Sequence, residues 1–151
     1  MADTSLSENR IGLLIWKTSN YWQTRLRKIL RPHNLSLNEF LILESIHHLH
    51  SIKSKTHQNV ISSFIGIDIS VASVTFKSLE NKNYISRQFE TDNRKKIVKM
   101  LDGGKILFEN MSPLIKREEK LMFEKLKNET FNFTNSLKLL LGKKIRIQAK
   151  Q

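Results

Sequence analysis

In QFETDNRKKIVKM, five residues in a row, Asp92, Asn93, Arg94, Lys95 and Lys96, stand between two apolar-flecked arms. Cations grouped like this can hold phosphate oxygens, and an arginine can enter a narrow minor groove, where negative potential concentrates. Asp92 lies two residues from Arg94 and can orient its guanidinium through a charge-assisted hydrogen bond. Asp and Asn are also turn residues, so a solvated turn is the plain alternative for the same tip. All 5 histidines fall between His33 and His57, and His47 and His50 stand i, i+3 on one helix face, a spacing zinc ligands use. The chain has no cysteine, and no later histidine completes a ligand set, so no metal is expected. There is no nucleophile–base motif, phosphate-cradling glycine loop or metal-plus-acid pattern. Glu80 and Asp102 are expected to be a helix-surface charge and a helix cap. The expected chemistry is therefore binding, not catalysis, and needs no cofactor.

The charge says what would be bound. Lysine and arginine number 26 against 14 acids among 151 residues, a formal charge of +12. Such an imbalance favours a polyanion, with nucleic acid first and an anionic membrane surface second. Hydrophobic residues at 39% and charged residues at 26% make an ordinary globular composition, and the length suits one domain. No apolar run approaches the roughly 18 residues a membrane span needs. Residues 1–9 lack the cationic start and apolar core of a signal peptide, so a cytoplasmic location without a membrane partner is expected.

The basic tip needs elements to carry it. With 5 Gly and 2 Pro, long helices are expected. Ile11, Leu14, Ile15, Trp22, Leu26 and Ile29 recur at helical spacing until Pro32 ends the run. Ser36 and Glu39 form a capping box for a second helix bearing Phe40, Leu43 and Ile46. A polar stretch, HSIKSKT, leads to a short helix around QNVISSFI that Gly66 closes, and IDIS opens another reaching about Lys82. Residues 84–89 and 96–101 are the hairpin arms, which bring the tip roughly 20 Å from the body at about 3.3 Å per residue. A long helix from about Asp102 carries Leu107, Met111, Leu114, Ile115, Met122 and Leu126, with Pro113 expected to kink it or be tolerated by a partner. A last helix holds Phe133, Leu137, Leu140 and Leu141 before Gly142. The fold class is mainly α with a small β-hairpin, in the order of a winged helix-turn-helix.

Three stretches then resemble the MarR/SlyA-type bacterial transcriptional regulators. GIDISVASVTFKSLENKNYI, residues 66–85, is similar to the family's helix-turn-helix signature. DNRKKIVKMLDGGKIL, residues 92–107, resembles its D-x-R wing and the glycine-containing start of the next helix. RLRKILRPHNLSLNEFLIL, residues 25–43, is similar to the first-helix exit and second-helix start. Val74 stands where many members carry an arginine, Asn83 where a glycine is common, and Leu101 where a threonine caps the long helix, with Asp102 the substitute cap. The resemblance implies a single MarR-like domain over 1–151: a winged lobe at about 36–101, dimerisation helices at about 8–31 and 102–141, and a basic tail at 142–151.

On the recognition helix, Ala72, Thr75, Phe76 and Leu79 fall on one side and are expected in the core. Ser70, Ser73, Val74, Lys77 and Asn81 fall opposite and are expected at double-stranded DNA, with Val74 able to pack on a thymine methyl. Lys77, Lys95, Lys96 and Lys99 are candidate phosphate anchors. Lys143, Lys144, Arg146 and Lys150 in the tail are the alternative source of affinity. Trp16, Tyr21 and Trp22 are a candidate pocket for a small aromatic effector, as the resemblance implies, although core packing also explains an aromatic helix stripe. The expected function is a sequence-specific regulator that binds an inverted-repeat operator as a homodimer. The alternative is a nucleoid-type DNA coater or an RNA-binding accessory protein.

Overall fold

The computed structural model describes residues 8–91 and 95–145. They divide into two compact units that meet at Ile115 and Lys116. In the first unit, α1 (Ile11–Leu30) runs into a 3-10 turn at Arg31–His33, as Pro32 requires, and Asn34 reverses the chain with φ 52. Ser36 then starts α2 (Leu37–Ser51) with both bonds of a capping box: the Glu39 amide donates to the Ser36 hydroxyl and the Ser36 amide to the Glu39 carboxylate.

The helix-turn-helix follows from one glycine and one aspartate. Gly66, at φ 79, closes α3 (Gln58–Ile65) in the left-handed conformation glycine adopts freely. Asp68 caps α4 (Ile69–Asn81) two residues later. Across that short turn the chain bends by 118°, within the range of helix-turn-helix pairs. The end of α4 uses the same device with another residue. Asn83, at φ 60, takes the left-handed position, and the Tyr84 amide reaches back to the Leu79 carbonyl at 3.0 Å.

Strands β1 (Ile85–Phe89) and β2 (Lys96–Met100) pair antiparallel, in a register running from Ile85 opposite Met100 to Phe89 opposite Lys96. Both are one residue shorter than the sequence suggests. The Tyr84 carbonyl instead accepts the Leu101 amide, where the chain turns into α5. The outer edge of β2 is held by the segment before α3: the Val98 amide donates to the Thr56 carbonyl, and His57 bridges Ile97.

The core of this unit draws on every element. Leu26 and Leu30 of α1, Phe40 and Leu43 of α2, Phe76 and Leu79 of α4, Val98 of β2 and Met111 of α5 are buried together. Each such side chain contributes about 1.5–3 kcal/mol of burial free energy. Residues 72, 75, 76 and 79 are the buried side of α4, as their helical spacing requires.

Helix α5 (Asp102–Phe123) continues through Pro113. The Leu101 carbonyl takes its first bond, from the Lys105 amide, so Asp102 is the first helical residue and not the cap. There its charge faces the positive end of the helix dipole. The stripe expected to run on through Leu126 stops at Phe123. A 3-10 segment, Glu124–Glu129, interrupts it where Lys127 leaves helical geometry at φ 50, ψ −124. The Thr130 hydroxyl donates to the Lys127 carbonyl at 2.9 Å, and α6 (Thr130–Leu140) begins. Gly142 closes α6 at φ 70.

Gly104 marks the tightest point. A Cβ there would stand 2.2 Å from the Tyr84 carbonyl oxygen, whereas one on Gly103 would meet nothing nearer than 3.7 Å. Gly104→Ala should therefore destabilise the fold by about 1–3 kcal/mol, and Gly103→Ala should be neutral or mildly stabilising. Urea unfolding of the two variants tests this, and equal effects would show that the approach of α5 to β1 is not constrained at Gly104.

Candidate nucleic-acid interface

Burial of one side of α4 forces the other outward. Ser70, Val74, Lys77 and Asn81, spaced i, i+4, i+7 and i+11, form one exposed line, with Ser73 exposed beside it. The five expected contact residues of the helix are thus brought to one surface. The polar group at its start is engaged: the Ser70 hydroxyl donates to Asp68 at 2.5 Å and its amide does so at 2.9 Å. These two bonds hold the Asp68 carboxyl below its ordinary value. Val74 is 71% exposed and Ile69, at the head of α4, 80% exposed. Ile69 belongs to this surface, and its helical phase beside Ser73 is the signal that would have found it.

The hairpin is fastened to this helix by an ion pair. Arg87 on β1 grips Glu80 of α4 with two nitrogens, at 2.9 and 3.2 Å, and reaches Gln58 of α3 with a third at 3.1 Å. Glu80 is therefore the wing's anchor and not a free surface charge. Its carboxyl is held below the ordinary value, chiefly by the Arg87 hydrogen bonds. At the far end of β1, His57 Nε2 lies 3.0 Å from Glu90, so the residue capping α3 also meets the root of the tip. Lys95 is exposed, and Lys96 lies over the Phe89 ring at 5.2 Å. The expected contact residues Asp92, Asn93 and Arg94 lie outside the described residues, as do Arg146 and Lys150 of the tail. Lys99, Lys143 and Lys144 are exposed.

Between α3 and the wing lies an open groove of about 580 Å³, lined by residues including Asn59, Ser63, Ile69, Phe89, Lys95 and Lys96. Its amides, hydroxyls and ammonium groups are the types that hold a phosphate backbone. It lies alongside the head of α4, so one polyanion could touch both.

The position of α4 itself depends on a residue of α2. Glu39 is 4% exposed, yet each carboxylate oxygen is bonded. Oε1 accepts the Ser36 amide at 2.9 Å and Lys82 Nζ at 3.0 Å, and Oε2 accepts the Ser78 hydroxyl at 3.0 Å. Lys82 Nζ also donates to the Asn34 carbonyl at 2.7 Å. Burial alone would raise the Glu39 carboxyl, but the Ser36 amide, Lys82 and Ser78 together outweigh it and hold it below its ordinary value of 4.5. The capping box signals Glu39 locally; nothing local signals Ser78 or Lys82.

The three aromatics of α1 stand in different settings. Trp16 is 66% exposed. Tyr21 accepts a hydrogen bond from Arg25, whose guanidinium lies 5.3 Å from its ring centre. Trp22 packs against the core. Of the histidines that suggested zinc, His47 lies against Phe108 at 4.8 Å and His48 stacks on Phe64 at 5.3 Å. Among the described residues, no group of three or more His, Asp or Glu side chains is placed to hold a metal ion, and no single helix is long and apolar enough to cross a membrane.

Residues 35–97 match the sequence model of the MarR family. The chain is 24% identical over 132 residues to the "uncharacterized HTH-type transcriptional regulator YdcH" of Bacillus subtilis (strain 168), covering 86% of this chain and 88% of that protein. A MarR-family transcriptional regulator from Rhodococcus sp. RHA1 superposes with a TM-score of 0.80 at 16% identity, covering 95% of this chain and all of that one. MepR of S. aureus, solved as a complex with DNA, superposes with a TM-score of 0.77 at 18% identity over 89% and 98% of the two chains.

The Glu39 contacts lead to a pH-dependent expectation. Because the folded-state value is depressed, their contribution is fully present above 4.5 and is lost as pH falls through the folded value. Glu39→Gln should cost about 1–3 kcal/mol near neutral pH. Its difference from the parent should shrink on acidification. Urea melts of both proteins at about pH 7 and about pH 3.5 measure this; a difference that holds or grows in acid would contradict the assigned role.

Proposed function

We infer that residues 35–97 make this chain a MarR-family transcriptional regulator, and we propose that it binds a discrete inverted-repeat operator in double-stranded DNA as a homodimer. The observation that carries this reading is the shared surface of α4 and the wing. One exposed helix line, a groove with Lys95 and Lys96, and a hairpin locked to the helix through Arg87 and Glu80 face a partner together. In this reading Ser73, Val74, Lys77 and Asn81 enter the major groove. Asp92, Asn93, Arg94, Lys95 and Lys96 serve the phosphates and the adjoining minor groove. Asp68 holds Ser70, which therefore supports the helix head first and contacts DNA second.

Dimerisation is proposed from apolar faces that a single copy leaves in water. The first half of α1 exposes Ile11, Leu14, Ile15 and Trp16, and the end of α6 exposes Leu139, Leu140 and Leu141. Isolated exposed apolar residues are ordinary, but runs at helical spacing favour a covering partner. A second copy covering them would give the two-fold symmetry an inverted repeat matches. The effector pocket proposed around Trp16, Tyr21 and Trp22 would then be completed by the second copy, since Trp16 stands on the uncovered face. The DNA coater remains the second reading, because Lys143 and Lys144 add exposed charge. We propose the cytoplasm as the place of action, where such an operator is found.

Two measurements check the proposal together. Light scattering at micromolar concentration should give twice the 17.7 kDa chain mass. Footprinting on fragments selected from genomic DNA should show one protected inverted repeat. A stable monomer would defeat the two-half-site arrangement, and protection without register would favour the coater.

A further inference from the structure

The outward line of α4 has an apolar side chain at its middle. We propose that Val74 reads the C5 methyl group of a thymine in each operator half-site. This inference rests on the reading of α4 as the DNA-facing helix and goes further, naming a base and the group on it.

The setting of Val74 leads there. Val74 projects from the exposed side, nearly opposite buried Ala72, Phe76 and Leu79, with 71% of its surface uncovered. A valine in a helix is stiff about its first torsion, so its two methyl groups point in a fixed direction. The hydroxyl one turn before it is committed to Asp68, and that of Thr75 donates to the Val71 carbonyl. Neither is therefore placed to compete with Val74 for a base edge. Lys77, one turn after it, is a flexible point charge better suited to a phosphate than to two-pronged recognition of guanine. The nearest apolar neighbour on the helix is Val71, itself 42% exposed.

A half-exposed apolar patch on a cationic surface calls for a partner that is anionic overall and apolar at one spot. Lys77, one turn on, and Lys95 and Lys96, in the groove beside the head of α4, favour DNA over an apolar protein surface. Among base-pair edges in the major groove, the thymine methyl is the one apolar group. Val74 therefore selects by covering that methyl. It would discriminate little among the hydrogen-bonding groups beside it.

The test uses operator duplexes recovered by the protein from a random pool, with each thymine replaced in turn by deoxyuridine. That change removes the methyl and leaves the pairing edge intact. One position in each half-site should weaken binding roughly three- to fivefold, the worth of one buried methyl. Val74→Ala removes the contact from both half-sites of the homodimer, so it should weaken binding to the unmodified operator by about the square of that factor, roughly ten- to 25-fold. Deoxyuridine at either position should then cost nothing more. Alanine favours helix, and the site is exposed, so the variant should keep the parent's circular dichroism spectrum. The inference is overturned if no thymine proves sensitive, or if Val74→Ala keeps the same sensitive position. In both cases in-register binding survives and the operator reading stands. A pool that yields no shared sequence defeats the operator reading, and this inference with it.

Discussion

Glu39 enters the winged lobe as a carboxylate removed from water, with the Ser36 amide and the Lys82 ammonium on one oxygen and the Ser78 hydroxyl on the other. A buried carboxylate left unbonded would cost several kcal/mol, so these partners must be in place whenever the lobe is folded. Ser78 and Lys82 belong to the last turn and cap of α4, and the Asn34 carbonyl shares the same ammonium. The start of α2 and the end of α4 are thereby tied together by charge. The apolar side of α4, with Phe76 and Leu79 in the core, fixes its rotation. Position and rotation together decide that Val74 and Lys77 face outward.

The wing inherits its place from that helix. Asn83 turns the chain out of α4 and Arg87 clamps back onto Glu80. Gly104 lets the first turn of α5 lie against the Tyr84 carbonyl. The outer strand is held by Thr56 and His57, just before α3. The hairpin is thus attached at its root through backbone and side chains alike. In the proposed reading, α4 and the wing address adjoining grooves of one duplex.

Much of this was legible because it is local. Pro32, the Ser36–Glu39 box, Gly66 and the phase of residues 72, 75, 76 and 79 each state their structure within a few residues. Asn83 was readable in the same way, as a residue that tolerates left-handed geometry where glycine is common. What escaped was long-range or collective. Glu80 looked like a surface charge because its partner sits on the wing, and the roles of Ser78 and Lys82 depend on a carboxylate some forty positions earlier. The apolar stripe carried α5 on to Leu126 in the sequence, but periodicity does not register the 3-10 segment that begins at Glu124, with Lys127 at positive φ inside it. Leu101 takes the start of α5 without a side-chain cap, since its carbonyl suffices and Asp102 serves the dipole from inside the helix. Of the α1 aromatics, Trp22 packs against the core, as an aromatic helix stripe commonly does, while Trp16 is exposed.

The central claim is that DNA is met by α4 and the wing of a lobe held in shape by Glu39, with the C-terminal segment secondary. Backbone amide shifts recorded by NMR during titration with an operator duplex test it directly, residue by residue. The account predicts the largest shifts along Ser70, Ser73, Val74, Lys77 and Asn81 and through Lys95 and Lys96, with smaller changes at residues 130–145. Shifts concentrated at 130–145, with α4 and the wing unmoved, would contradict it.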